Sequence, residues 1–154
     1  MRATAKGQKI DQVELFRSAA DSWKRIQRAA ERNLLTVGLT IPEFRILRVL
    51  RDVGSSPMNR FSTETLLSQP TITGIVDKLV QAGLVERVRS LQDRREVIIG
   101  LTPKGGDALA KGEDAHRQFV KRSLSVLTEG EMDLLDSVLK RLADESDPPD
   151  PPSE

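Results

Sequence analysis

Apolar residues recur in three- and four-residue steps along the first third of the chain: Val13, Phe16, Ala20, Trp23, Ile26, Ala30 and Leu34. That spacing lines one face of a helix over 10–35, and Gly38 suits a left-handed stop beyond it. Thr40-Ile41-Pro42-Glu43 reads as a second helix start, with Thr40 as cap, Pro42 in the first turn and Glu43 placed to bond back. Phe44, Leu47, Leu50 and Val53 mark its buried face, Ile46 and Val49 flank it, and Gly54 ends it. Ser55-Ser56-Pro57 is read as the restart of a short helix carrying Phe61, Leu66 and Leu67. Ser68 caps a further helix over 69–82, with Ile72, Ile75, Val76, Leu79 and Val80 inward and Gly83 as its terminator.

The period then changes. Residues 84–89 and 96–101 are short and rich in β-branched residues, and the polar run Ser90-Leu91-Gln92-Asp93-Arg94-Arg95 separates them. This predicts a β-hairpin. Thr102-Pro103 opens a long helix to about residue 126, and Thr128-Glu129-Gly130-Glu131 is a capping box for a last helix bearing Met132, Leu135, Val138, Leu139 and Leu142. The predicted class is mostly α with a small hairpin. A winged region of about 65 residues cannot bury the stripes at both 10–35 and 132–142, so a symmetric partner is expected to cover them.

Composition narrows the function. The 154 residues hold 24 Lys and Arg, 23 Asp and Glu, 38% hydrophobic residues and 31% charged ones. Zero Cys excludes a disulfide scaffold, a thiolate zinc site and a thiol redox sensor. No apolar run approaches a bilayer span and no apolar signal stretch opens the chain, so no membrane partner and a cytoplasmic location are expected. The near-neutral total hides an asymmetry: residues 144–154 hold five acids and no base, while residues 1–143 hold 24 bases and 18 acids, a net +6. A basic body permits a nucleic-acid partner. The Pro-rich acidic tail 144–154 is expected to be disordered, and 1–9, with three bases, a mobile arm.

The order helix, short helix, helix, hairpin describes a winged helix-turn-helix over 39–102, whose second short helix enters a major groove while the hairpin reaches the flanking backbone or minor groove. The outward face of 69–82 presents Gln69, Pro70, Thr71, Thr73, Gly74, Asp77, Lys78 and Gln81, small hydroxyl and amide groups suited to base edges or phosphates. On an ordinary amphipathic helix the same face would be a solvated polar surface. The hairpin is the sharper signal. Arg87, Arg89, Arg94 and Arg95 fall within nine residues, and guanidinium groups favour phosphates and narrow minor grooves. Asp93, two residues before Arg95, can orient it. A solvated, salt-bridged loop tip is the plainer alternative.

Residues 39–105 resemble the MarR (multiple-antibiotic-resistance regulator) family through Leu39-Thr40 with Phe44, Val76-Asp77-Lys78-Leu79, Gly83-Leu84-Val85-Glu86-Arg87, Asp93-Arg94-Arg95 and Leu101-Thr102-Pro103-Lys104-Gly105. The resemblance implies a homodimer built by the helices at 10–35 and 103–143, bound to near-palindromic double-stranded DNA, with the wing 84–101 at the minor groove. It implies a transcription regulator of the ligand-responsive repressor kind, released in many members by a small phenolic or lipophilic anion. By position, Ser68, Gln69, Pro70, Thr71 and Thr73 match the groove-reading segment, and Asp93 and Arg95 the wing-tip pair. Gly74 departs from good helix chemistry, costing roughly 1 kcal/mol against Ala; either it lets the backbone approach DNA or it is merely tolerated.

For an effector cleft between dimer helices and winged region, Trp23, Lys24, Arg28, Ile41 and Phe44 are the candidates, a cation beside aromatic and aliphatic walls. The alternative is that Trp23 and Phe44 are core and the bases solvated, and the absence of Tyr weakens the phenol case. His116, the one His, is expected on a solvated face with no metal. The run Gly100 to Gly106 lacks the Lys-Ser/Thr of a phosphate loop. No catalytic constellation and no cofactor are expected. The rival function is a winged-helix protein-interaction module without sequence-specific DNA binding.

Overall fold

The computed structural model describes residues 11–65, 67–89 and 97–146. The chain divides into two compact units, Met1–Arg117 and Gln118–Glu154. In the first, α1 (Gln12–Leu35) opens where the Asp11 carboxylate accepts the Glu14 amide hydrogen at 2.9 Å. α2 (Ile41–Val53) starts on the full capping box: the Glu43 amide donates to the Thr40 hydroxyl at 3.4 Å, and the Thr40 amide to the Glu43 carboxylate at 2.9 Å. Glu31 of α1 accepts the Ile41 amide at 3.2 Å, so two carboxylates sit at the α2 N-terminus.

β1 (Ser56–Pro57), α3 (Met58–Thr65), α4 (Gln69–Gln81), β2 (Val85–Arg89), β3 (Val97–Leu101) and α5 (Pro103–Leu124) follow. The sheet is antiparallel in the order β1-β3-β2, with Ile99 opposite both Ser56 and Arg87. It therefore has a third strand that the hairpin reading lacked. Ser56 and Pro57 are strand rather than helix start, because β3 supplies a pairing partner some forty positions downstream.

The core joins Leu34, Leu39, Phe44, Leu47, Leu50, Phe61, Ile72, Val76, Leu79, Val85, Ile99 and Leu109. Ile46, expected at the flank, is fully buried, and Val53, expected inside, is exposed at the end of α2. Arg51 of α2 pairs with Glu113 of α5. Two α5 glycines face close neighbours. A Cβ on Gly105 would fall 1.9 Å from the Leu84 carbonyl oxygen, and one on Gly112 would fall 2.9 Å from the Phe44 ring. Only hydrogen fits there. Along α1, by contrast, Val13, Phe16, Trp23 and Ile26 stay exposed, and only Ala30 and Leu34 are buried.

In the second unit, α6 (Glu129–Ser146) begins on the expected box, with Thr128 and Glu131 bonded in both directions. It runs to Ser146, so Asp144 and Glu145 are helical rather than part of the tail; a helical stretch needs no large apolar residues of its own once α6 is under way. Leu134, Leu139 and Leu142 are exposed on it. The arm 1–9, the wing tip 90–96 and residues 147–154 of the tail lie outside the described residues.

Candidate nucleic-acid interface

α4 has two distinct faces. Ile72, Val76 and Leu79 are in the core, while Ser68, Gln69, Pro70, Thr71, Thr73, Gly74, Asp77 and Lys78 are exposed. The sequence-predicted groove-reading residues are thus together on one outward surface. Their hydroxyls are not all free. Ser68 occupies the N-cap, yet its side chain makes no bond to the helix backbone and shares a 2.8 Å hydrogen bond with the Thr71 hydroxyl. Thr73 turns its hydroxyl back along the helix and donates to the Gln69 carbonyl at 3.0 Å.

The C-terminal end of α4 is held by the start of α5. Gly83 takes φ +70, letting the chain leave the helix with the Leu84 amide bonded to the Leu79 carbonyl at 2.9 Å. Lys104 donates to the Ala82 carbonyl at 2.8 Å, placing a cation on the negative end of the helix. The Thr102 hydroxyl donates toward the Gly83 and Leu84 carbonyls, at 2.8 and 3.1 Å, and accepts the Gly105 amide at 3.0 Å. The sequence shows the run Leu101 to Gly105 as a helix start at Thr102-Pro103 and as a family signature, but not as a contact with α4. Its further physical content is this clamp, which aims α4 through bonds to Ala82, Gly83 and Leu84 that span some twenty positions and that no local pattern reveals.

Arg87 of β2 donates to Asp77 of α4 at 2.5 Å, and both side chains keep substantial solvent contact. The sequence reading grouped Arg87 with free DNA-facing cations; the fold gives it a partner on α4. The pair ties the strand to the helix and cancels the one acid on the outward face of α4. Arg89 belongs to β2. Asp93, Arg94 and Arg95 lie outside the described residues.

The five effector-cleft candidates are dispersed in environment. Trp23 is 59% exposed, Arg28 is exposed, and Lys24 pairs with Asp21 at 3.3 Å. Ile41 is half-buried with its amide held by Glu31, while Phe44 is a core residue. The Phe44 ring lies 5.6 Å from His116 and 5.8 Å from the Arg48 guanidinium. His116 is therefore not on a solvated face: its ring packs on Phe44 and its Nδ1 is buried without a partner among the described residues. Among the described residues, no three His, Asp or Glu converge on a metal position, and no helix is long and apolar enough to cross a membrane.

Comparison with known proteins agrees with this geometry. The family model for the MarR family matches residues 39–97. The HTH-type transcriptional regulator MhqR of Bacillus subtilis (strain 168) is 30% identical over 130 residues, covering 84% of this chain and 90% of that one. The fold is shared with the organohalide-sensing RdhR transcriptional regulator in its 2,4-dichlorophenol-bound form, at a TM-score of 0.75 and 20% identity over 94% of this chain and 90% of that one. It is shared as well with a mutant MarR from E. coli complexed with operator DNA, at 0.74 and 21% identity over 84% and 94%. With a polar helix face clamped beside a three-stranded wing, and with this likeness across most of its length, the chain belongs to the MarR family of DNA-binding transcription regulators.

Proposed function

We propose that this chain acts as a symmetric dimer on a near-palindromic operator, with α4 in the major groove of each half-site and the wing at the flanking minor groove. A small aromatic or lipophilic anion releases it. The observation that carries the reading is the outward face of α4: short polar side chains, the Lys78 cation, and the Asp77 charge already offset by Arg87. Such a face can approach phosphates and base edges without carrying an uncompensated acid into them. In this arrangement Ser68, Gln69, Pro70, Thr71, Thr73, Gly74 and Lys78 meet the major groove, and Arg89, Asp93, Arg94 and Arg95 work at the wing.

The dimer is supported by the apolar side chains that one chain leaves uncovered on α1 and on α6. Large exposed apolar faces of this kind mark an interaction surface, and a twofold axis covers like with like. The effector reading is supported by the aromatic phenol held by the organohalide-sensing structural neighbour, with Trp23, Lys24, Arg28, Ile41 and Phe44 as the residues nearest in chemistry to such a ligand.

The test is a gel shift with the DNA upstream of the chain's own gene against unrelated DNA, with Arg95→Ala measured over a range of salt. The expected result is selective binding, and for the variant weaker binding to both DNAs with a salt slope lower by about one unit per lost contact. Equal binding of both DNAs by the wild type would overturn the regulator reading in favour of a protein partner. An unchanged salt slope would remove the wing from the interface.

A further inference from the structure

We infer that Thr73 reads the operator through its methyl group, so that the base it faces in each half-site is a thymine. This rests on the placement of α4 in the major groove proposed above. The exposed Thr73 side chain has a single donor hydrogen, and that hydrogen is committed to the Gln69 carbonyl at 3.0 Å. Nothing remains to donate to the O6 and N7 acceptors that guanine shows in the major groove. The Ser68–Thr71 pair differs, because two hydroxyls sharing one bond leave one hydrogen free. With Oγ1 turned back on the helix, what Thr73 offers outward is its Cγ2 methyl. Thymine is the base that shows a methyl in the major groove, and an apolar contact is its match.

Gly74 completes the arrangement. It is exposed, and a Cβ built on it would meet nothing within 4 Å. Packing inside the chain therefore does not demand glycine at this position. The bare backbone there adds no side chain to the outward face next to Thr73 in the chain. The rival for the same side chain is its oxygen, whose lone pairs can still accept from adenine N6 or cytosine N4.

The experiment uses the full chain and a randomised duplex library. Enriched duplexes are resynthesised with deoxyuridine in place of thymidine, one half-site position at a time, which deletes only the thymine methyl. Each is titrated with wild type, Thr73→Val and Thr73→Ser. At one position the wild type is expected to lose about fourfold, the worth of one buried methyl. Thr73→Val is expected to keep that penalty, with affinity within about twofold of wild type. Thr73→Ser, which removes the methyl from both half-sites, is expected to bind the thymidine duplex about sixteenfold more weakly and to be indifferent to deoxyuridine there. Because the coupling is a ratio within each variant, a general change in stability cancels. Loss by Thr73→Val with retention by Thr73→Ser would make the oxygen the reader and overturn the inference. Enriched duplexes with no position coupled to Thr73 would overturn it while leaving the DNA-binding reading intact. A library in which no sequence is enriched would remove both.

Discussion

Asp77 and Arg87 carry opposite charges at the place where α4 meets β2, and their 2.5 Å contact is solvated enough to contribute at most about 1 kcal/mol to folding. Its larger consequence is electrostatic. Arg87→Ala leaves the Asp77 carboxylate facing phosphates and is expected to weaken operator binding by about 1 kcal/mol per half-site. Asp77→Ala frees the guanidinium and is expected to tighten binding, with a salt slope steeper by about one unit per half-site. The double variant restores the net charge and is expected to return close to wild type. Operator titration at three salt concentrations checks the cycle. Both single variants shifting affinity in the same direction would make the pair a mechanical strut instead.

At the scale of elements, the N-terminus of α5 aims the recognition helix. Thr102 and Lys104 take the last carbonyls of the α4 turn, and Gly105 lies so close to Leu84 that a side chain has no room. Gly105→Ala is expected to destabilise the protein by about 1–3 kcal/mol through overpacking against backbone, which cannot step aside. Gly106→Ala is the control: its Cβ would meet nothing within 4 Å, and the gain in helix propensity is expected to leave stability equal or raised by up to about 1 kcal/mol. Urea melts of the two variants, one residue apart, separate packing from propensity. Equal midpoints would deny the clamp.

For the whole molecule the decisive quantity is uncovered apolar surface. Phe16 on α1 is 76% exposed and Leu139 on α6 56%. Placing a charge in either face, by Phe16→Glu or Leu139→Glu, is expected to shift a dimer to monomer in light scattering at micromolar concentration, because an unpaired carboxylate cannot be buried cheaply. Operator affinity is expected to collapse with it, since two linked half-sites become two separate weak ones. A wild-type chain that is already monomeric under those conditions would sink the symmetric-dimer reading and the palindromic operator together.

The helices were legible in the sequence because what makes them is local. A stripe at three- and four-residue steps, the boxes at Thr40 and Thr128, and the left-handed glycines at 38, 54 and 83 all act within about one turn of the chain. The outward face of α4 was legible for the same reason, since burying Ile72, Val76 and Leu79 commits the intervening residues to solvent. What only the tertiary structure decided involves partners far apart in sequence. Ser56 and Pro57 become a strand because β3 comes beside them. Arg87 is drawn to Asp77 across ten positions, His116 packs on Phe44, and Gly105 and Gly112 are glycines because of the backbone and ring brought against them. Periodicity reports which side of an element is apolar; only the packed chain sets what lies against that side, and there the clamp and the charge balance of the interface were settled.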